Sequence, residues 1–271
     1  MSAERVPRGI DPTRAHPARR YDYWLGGKDN FAADRESAEI LASGFPTIRL
    51  AALENRKFLQ RAVRHLTAEV GIRQFLDIGA GLPSAGNVHE IAQGIAPESR
   101  VVYVDNDPIV LVHARALLNS SSQGATAYVD ADLREPEKIL DSPELSQTLD
   151  LSRPTALILV ATMHFITEEE DAYGLLGRLR EVLAPGSYIV LTHATLDYLS
   201  PERRTEVIEA DEKSGVRFQM RSREEFARFF EGLDLVEPGI ASVIDWRPDV
   251  PPEQRPSVED VSMLGAVARV P

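Results

Sequence analysis

The chain has 271 residues, of which 43% are hydrophobic and 27% are charged, enough apolar side chains for a folded core. This length suits one large domain or two small ones. The formal net charge of −12 argues against DNA or RNA as the main partner, because an acidic surface repels phosphate. The sequence contains no cysteine, which excludes disulfides, thiolate metal sites and cysteine nucleophiles.

The first 20 residues contain three prolines and five arginines without apolar periodicity, which predicts a flexible N-terminal arm over residues 1–20. The arm has no apolar segment of the kind found in secretory signal peptides. No apolar run in the sequence approaches the length of a membrane span. We therefore expect a soluble, cytoplasmic protein without a membrane partner.

Aromatic, glycine and charged residues are concentrated in the segment YDYWLGGKDNF, residues 21–31. Aromatic rings beside glycines suit a lid over a flat ring, so Tyr23 and Gly27 are candidate cofactor contacts. The alternative is that the aromatic side chains anchor the arm to the core. Helices predicted at 31–41 and 47–70, the second ended by Gly71, complete an N-terminal helical cap over residues 21–71.

Strands and helices alternate from residue 72 onward, which predicts a parallel, doubly wound α/β sheet. Its five parallel strands are expected at 74–78, 100–105, 125–129, 155–160 and 187–192. The apolar run TALILV, residues 155–160, should lie at the centre of the sheet.

The pattern changes near the C-terminal end of the chain. Charged helices at 201–214 and 222–231 form a predicted insertion at about 197–232. Strands at 233–246 and 262–270 follow, and because no crossover helix fits between them they should pair antiparallel. Residues 72–271 are thus expected to form one domain around a seven-stranded sheet.

The stretch QFLDIGAGLPSAGN, residues 74–87, joins a short apolar strand to a glycine-rich turn. Such turns at the carboxyl edge of an open α/β sheet form ligand sites. Gly79 and Gly81 could adopt backbone angles closed to other residues and let a ligand lie against the main chain. Asp77 ends this strand and Asp105 ends the next, 28 residues later, about the length of one βαβ unit.

The seven predicted strands, five parallel and then a terminal hairpin, and the strand-end motifs resemble the class I S-adenosylmethionine-dependent methyltransferases. That resemblance implies a Rossmann-like seven-stranded sheet with an antiparallel C-terminal hairpin. LDIGAGLP resembles the first motif of these enzymes, which implies that Asp77, Gly79 and Gly81 line the methionine end of the cofactor.

Two further motifs of the same resemblance concern the nucleoside. YVDND resembles the end of the second strand, where Asp105 would accept hydrogen bonds from both ribose hydroxyls and Asn106 would lie beside the adenine. DADLREP resembles the adenine motif. There Asp132 would accept a hydrogen bond from the exocyclic amine, and the backbone N–H of Leu133 would contact a ring nitrogen.

Longer strings resemble one group of these enzymes, the DUF574 methyltransferases common in actinobacteria: YDYWLGGKDNFAADR, ENRKFLQRAV, FLDIGAGLP, NVHE and VVYVDNDP. The resemblance covers residues 21–270. Ala80 and Ser84 depart from the string GTGLPT expected in relatives, and both changes are small. The resemblance implies S-adenosyl-L-methionine as the cofactor and methyl transfer as the activity, and it implies no particular acceptor.

His164 follows the fourth parallel strand, at the strand end that faces the transferred methyl group in this fold. Its ordinary pKa near neutrality makes it a candidate general base, and the alternative is a hydrogen-bonded structural histidine. His193 has the same two interpretations. His89 and Glu90 lack a second nearby histidine, so no metal site is predicted.

The sequence is compatible with three functions. The first is a methyltransferase that acts on a small-molecule acceptor, for which a homodimer is also considered. The second is a non-catalytic regulatory protein that binds S-adenosylmethionine or S-adenosylhomocysteine. The third is an NAD-dependent oxidoreductase, which is disfavoured because residues 79–84 lack a third glycine and Pro83 removes a backbone donor that a pyrophosphate would need.

Overall fold

One mixed sheet forms the centre of the protein. The computed structural model describes residues 10–117 and 120–271, and the side chains in those ranges except at 114–117. The strand order is β3-β2-β1-β4-β5-β8-β6, and β7 also pairs with β8. The strands are β1 (Gln74–Ile78), β2 (Arg100–Asp105), β3 (Ala125–Asp130), β4 (Ala156–Leu159), β5 (Tyr188–Ala194), β6 (Asp234–Leu235), β7 (Ala241–Ser242) and β8 (Met263–Arg269).

The first five strands are parallel, and β8 runs antiparallel to β5. The apolar strand β4 lies at the middle of the order, as predicted, because both of its faces are covered. Alternate residues of β1 enter two separate cores: Leu76 and Ile78 pack on one face of the sheet, and Phe75 packs on the other. The predicted doubly wound α/β fold is therefore confirmed.

Helices cover both faces and one edge of the sheet. They are α1 (Pro17–Trp24), α2 (Ala32–Gly44), α3 (Ile48–His65), α4 (Val88–Ile95), α5 (Pro108–Leu117), α6 (Pro136–Leu140), α7 (Pro143–Thr148), α8 (Ala172–Glu181), α9 (Pro201–Ser214), α10 (Arg223–Ala227) and α11 (Val258–Val261). A π-helical turn, Leu66–Val70, extends α3 as far as Gly71, which takes the left-handed conformation expected of a C-terminal glycine. No helix in the described ranges is both long and apolar enough to cross a membrane.

The strand predicted at 233–246 is broken into two short pieces, β6 and β7. Both pieces pair antiparallel with β8, at different positions along it. The break has a local cause, since Pro238 has no N–H to donate and Gly239 has a φ of +81°. The C-terminal part of the sheet is therefore antiparallel, as predicted, but it contains one more strand than expected.

The predicted N-terminal arm differs from the structure over residues 10–20, and residues 1–9 lie outside the described part of the chain. The side chain of His16 accepts a hydrogen bond from the backbone N–H of Ala18, and α1 begins with Pro17 at a favoured first-turn position. Arg19 and Arg20 are buried. Residues 17–24 are helical rather than extended because the helix has an N-terminal cap, a proline at its first turn and a face packed against the protein.

Helix α2 of the cap packs against α9 of the insertion at Gly44 and Ala210. A Cβ at Gly44 would lie 2.4 Å from the carbonyl oxygen of Glu206 and 2.6 Å from the Cβ of Ala210. Two segments that are distant in sequence are therefore joined by a close helix contact.

We expect Gly44→Ala to lower the free energy of unfolding by about 1–3 kcal/mol, because the added methyl group must push α2 and α9 apart. Gly94→Ala is the matched control, since a Cβ at Gly94 near the end of α4 would meet no atom within 4 Å. The control should leave stability unchanged or raise it by up to about 1 kcal/mol through helix propensity. Urea unfolding of both variants measures the difference, and equal effects would contradict the close packing of α2 on α9.

Candidate active site

A cavity of about 410 Å³ opens at the carboxyl ends of β1, β2 and β4. This volume lies in the usual range for small-molecule sites, about 300–1,000 Å³. The cavity brings together eight residues that the sequence singles out: Asp77, Gly79, Gly81, Asp105, Asn106, Asp132, Leu133 and His164. They meet because parallel neighbouring strands end at the same edge of the sheet.

The glycine turn after β1 folds back over the end of β2. The backbone N–H of Gly79 donates to the carbonyl oxygen of Val104 at 2.8 Å. Gly79 has a φ of +74°, and a Cβ there would lie 2.4 Å from Oγ1 of Thr162. Gly81 has a φ of +67°, but a Cβ there would meet nothing within 4 Å. The first glycine is therefore required by packing, whereas the second borders open space where a ligand can approach the backbone.

Asp105, at the end of β2, holds the glycine turn in place through a hydrogen bond to its backbone. Its Oδ2 accepts a hydrogen bond of 2.8 Å from the backbone N–H of Gly81, and its Oδ1 accepts one of 3.0 Å from Asp107. Burial raises the pKa of Asp105, and the two backbone hydrogen bonds oppose that rise. Each carboxylate oxygen has accepted one hydrogen bond, so each keeps acceptor capacity for a ligand.

Asp132, after β3, is held by groups on either side of it. Its Oδ2 accepts a hydrogen bond of 2.7 Å from Nδ2 of Asn106, and its Oδ1 accepts one of 2.8 Å from the backbone N–H of Arg134. Leu133 is buried beside it and lines the same cavity. A planar polar edge and an apolar wall therefore lie next to each other, which is an arrangement that suits a heteroaromatic ring.

Asp77 is the least compensated of the three strand-end acids. It is 6% exposed, and burial raises the pKa of its carboxyl to about 7, while the charge of Arg56 lowers it and the charge of Asp105 raises it further. A carboxylate in this position gains stability when a cation binds next to it.

His164 also lines the cavity, on the turn after β4. It is 4% exposed, and its Nδ1 has no hydrogen-bond partner among the described residues. Burial lowers its pKa well below the ordinary value, and the neighbouring His193 and Arg221 lower it further. The rings of Phe165 and Phe218 each lie 4.4 Å from the imidazole, measured between ring centroids. The ring is therefore neutral near pH 7.

His193 has a structural role. Its Nδ1 lies 2.8 Å from the carbonyl oxygen of Ala194, and its Nε2 lies 2.8 Å from Nη1 of Arg221. A carbonyl can only accept and a guanidinium can only donate, so Nδ1 carries the proton and Nε2 accepts. Both ring nitrogens are therefore occupied.

Tyr23 and Gly27 lie outside the cavity. The hydroxyl of Tyr23 donates to Oε1 of Glu39 at 2.6 Å, and Gly27 packs over the carboxylate of Asp22. The inner face of α1 instead presents Arg20, Tyr21 and Trp24 to the cavity. The spacing of Arg20 and Trp24, four residues apart, is the sequence signal that distinguishes this face once α1 is known to be a helix.

Other cavity residues were not selected as sites from the sequence. Arg56 comes from α3, and Asp211 comes from α9. Neither belongs to a motif at a strand end, so only the packing of these helices over the sheet brings them to the site. Within the described ranges, no three His, Asp or Glu side chains are grouped in a way that could hold a metal ion.

A doubly wound sheet with an antiparallel last strand, and acids at three strand ends around one cavity, is the architecture of a Rossmann-like methyltransferase. The sequence profile of the S-adenosyl methyltransferase family matches residues 3–271. The chain belongs to this family. It is an S-adenosylmethionine-dependent methyltransferase, and its cofactor is S-adenosyl-L-methionine.

Two solved structures are similar to this chain over nearly its full length. A DUF574 family protein from Streptomyces avermitilis MA-4680 is 48% identical, with a TM-score of 0.92, and the match covers 96% of this chain and 99% of that one. A candidate methyltransferase from Thermobifida fusca YX is 40% identical, with a TM-score of 0.88, and the match covers 99% of both chains. No curated protein matches this chain significantly. The predicted family, fold and cofactor are thereby confirmed.

The raised pKa of Asp77 predicts a stability that falls as pH rises. Between its ordinary pKa of 3.8 and about 7, the folded state keeps a proton that the unfolded state has released. Asp77→Asn removes this effect, so without ligand it should be more stable than the wild type at pH 8, by about 2–4 kcal/mol. Urea unfolding at pH 5 and pH 8 tests this, and an advantage that does not grow with pH would contradict it.

Proposed function

We propose that the strand-end carboxylates and the glycine turn hold S-adenosylmethionine along the carboxyl edge of the sheet, with the acceptor bound beyond it under the helical cap. The observation that carries this proposal is the convergence of Asp77, Asp105 and Asp132 on one cavity. When bound, the cofactor supplies an electrophilic methyl group on a sulfonium. Residues of this chain must bind the cofactor, orient the acceptor and remove its proton.

Asp105 is the proposed ribose ligand. Backbone donors already fix both of its oxygens, so the carboxylate is oriented before a ligand arrives, and two vicinal hydroxyls can each donate to one oxygen. Asn106 and Asp132 are hydrogen-bonded to each other and lie on the proposed adenine side of the cavity. Leu133 forms the apolar wall beside them.

Asp77 is the proposed partner of the cofactor's ammonium group. Its buried carboxylate lies close enough to Arg56 for that charge to lower its pKa, and the two side chains present opposite charges to the amino and carboxylate groups of an amino acid. Gly81 leaves the space that the tail needs against the main chain.

The proposed acceptor is a small molecule, since the cavity that receives it is buried under α1, α2 and α9. His164 is the proposed general base. Its lowered pKa keeps the imidazole in the neutral form, and this is the form that can accept a proton from a hydroxyl or amine. Residues of the helices that line the cavity would fix the approach of the acceptor, and such positioning supplies much of the rate in methyl transfer. The homodimer and the cytoplasmic location stay predictions.

Replacing Asp105 tests the cofactor site. We expect Asp105→Asn to weaken binding of S-adenosylhomocysteine by about 10–100-fold, the loss of charge-assisted hydrogen bonds worth roughly 1.5–3 kcal/mol. Asp130→Asn is the matched control, because Asp130 pairs with Asp105 in register on β3 but is exposed and does not line the cavity. Isothermal titration calorimetry measures both, and equal losses would contradict the assignment.

Transfer of a labelled methyl group tests the reaction and His164. Wild-type protein is incubated with methyl-labelled S-adenosylmethionine and a protein-free small-molecule extract of Streptomyces avermitilis. We expect label in an organic product, and a rate about 10²–10⁴-fold lower with His164→Gln. His113→Gln, which changes a histidine outside the cavity, should keep the wild-type rate.

Binding of S-adenosylhomocysteine serves as the control for folding, and His164→Gln should leave it unchanged. A wild-type protein that binds S-adenosylhomocysteine but labels no small molecule would contradict the proposed acceptor class. A His164→Gln variant that retains full transfer would contradict the proposed base.

A further inference from the structure

Four arginines are buried in the described part of the chain, and three of them have an evident structural role. Arg19, Arg61 and Arg221 each donate at least two hydrogen bonds to backbone carbonyl oxygens. None of these three lines the cavity. Their positive charges are accommodated because carbonyl dipoles replace the water that was lost on burial.

Arg20 is the exception among the four. It is 2% exposed, its only side-chain hydrogen bond to a described residue is one of 3.4 Å from Nη1 to Oγ of Ser214, and its Nε has no partner. No carboxylate oxygen of a described residue lies within the 4.0 Å of a salt bridge. Arg20 also lines the cavity. A buried guanidinium with free donors at a cavity wall is the arrangement expected of an anion-binding side chain.

Arg20 remains charged despite its burial. Desolvation lowers its pKa to about 10, and the more distant charges of Asp211 and Asp34 oppose this effect. Both oxygens of Asp34 already accept hydrogen bonds, from the backbone N–H groups of His16 and Phe31. The guanidinium is therefore a cation at neutral pH whose planar pair of donors is available to a carboxylate.

Arg20 and Arg56 act on different ionisable side chains that line the cavity. The charge of Arg20 lowers the pKa of His164 and that of Asp211, whereas the charge acting on Asp77 is that of Arg56. Arg56 lies beside the glycine turn, with Nη2 at 3.4 Å from the carbonyl oxygen of Gly86, and Arg20 lies near enough to the proposed base for its charge to lower the pKa of that imidazole.

Aromatic rings and apolar side chains line much of the cavity that Arg20 borders. The guanidinium carbon of Arg20 lies 5.0 Å from the ring centroid of Trp24, and the ring of Phe218 packs on His164. Apolar residues that line the same cavity include Leu41 of α2, Val207 of α9, and Phe45, Leu199 and Val216 from the segments that follow α2, β5 and α9. Such walls suit a planar hydrophobic body.

We propose that the acceptor is a small aromatic carboxylate, and that Arg20 binds its carboxylate group while the ring lies between Trp24 and Phe218. Asp211, whose Oδ1 has no hydrogen-bond partner among the described residues, then accepts from a hydroxyl or N–H of the same molecule. This inference rests on the proposed function, since it places the carboxylate on the acceptor side of a methyltransferase cavity.

A matched pair of probes tests the inference without knowledge of the natural acceptor. Binding of 4-fluorobenzoate and of its neutral analogue 4-fluorobenzamide to the protein saturated with S-adenosylhomocysteine is followed by fluorine NMR. We expect the carboxylate to bind at least about 10-fold more tightly than the amide, as one charge-assisted pair provides. Equal affinities, or no binding of the carboxylate, would overturn the inference, and this comparison needs no variant.

Variants then assign the preference to Arg20. Arg20→Gln should abolish the preference for the carboxylate and leave the affinity for S-adenosylhomocysteine unchanged. Arg217→Gln is the charge control, since Arg217 is an exposed arginine on the same cavity that already pairs with Glu169, and it should keep the preference.

The outcomes separate this inference from the proposed function. Failure of the wild type to bind S-adenosylhomocysteine would contradict the cofactor site itself. Normal cofactor binding with no preference for the carboxylate would overturn only the acceptor class. Loss of S-adenosylhomocysteine affinity in Arg20→Gln would assign Arg20 to the carboxylate of the cofactor and overturn the inference.

Discussion

The hydrogen bond from the backbone N–H of Gly81 to the carboxylate of Asp105 is the interaction on which the site depends. It is 2.8 Å long and joins the turn after β1 to the end of β2, so the two parts of the proposed nucleoside site hold each other in place. Gly79 closes the same turn with a hydrogen bond to Val104. Because these bonds form within the protein, the acceptor groups are oriented in advance and a ligand need not organise them.

Unequal compensation of buried charge distinguishes the parts of the cavity. Asp105 and Asp132 accept backbone or amide hydrogen bonds, and their positions are fixed. Asp77 and Arg20 lack comparable partners. Burial raises the pKa of Asp77 and lowers the pKa of Arg20, and each shift favours the neutral form of the side chain. Side chains of this kind cost stability in the folded state, and a ligand of opposite charge offsets that cost. The proposed contacts to the ammonium group and to the acceptor lie at these two positions.

Several features could be predicted because their causes are local. The glycine turn, the strand-end acids and the apolar central strand are each specified by a few adjacent residues, and parallel pairing then brings the strand ends together. The single strand predicted at 233–246 was wrong although its break also has a local cause, since Pro238 and Gly239 interrupt the strand pattern and stop its pairing with β8. Tyr23 lies outside the cavity because which face of α1 points inward depends on where that helix starts and what it packs against.

By itself the sequence determined the fold class, the family and the proposed cofactor edge of the site, since hydrophobic pattern and short motifs carry that information. Only the tertiary structure decided which residues meet at the proposed acceptor end. Arg20 comes from α1, His164 from the turn after β4 and Asp211 from α9, and nothing in their spacing along the chain relates them. They share one cavity because α2 packs on α9 over the sheet. Such contacts between distant segments depend on the shapes of whole helices, which no local pattern records.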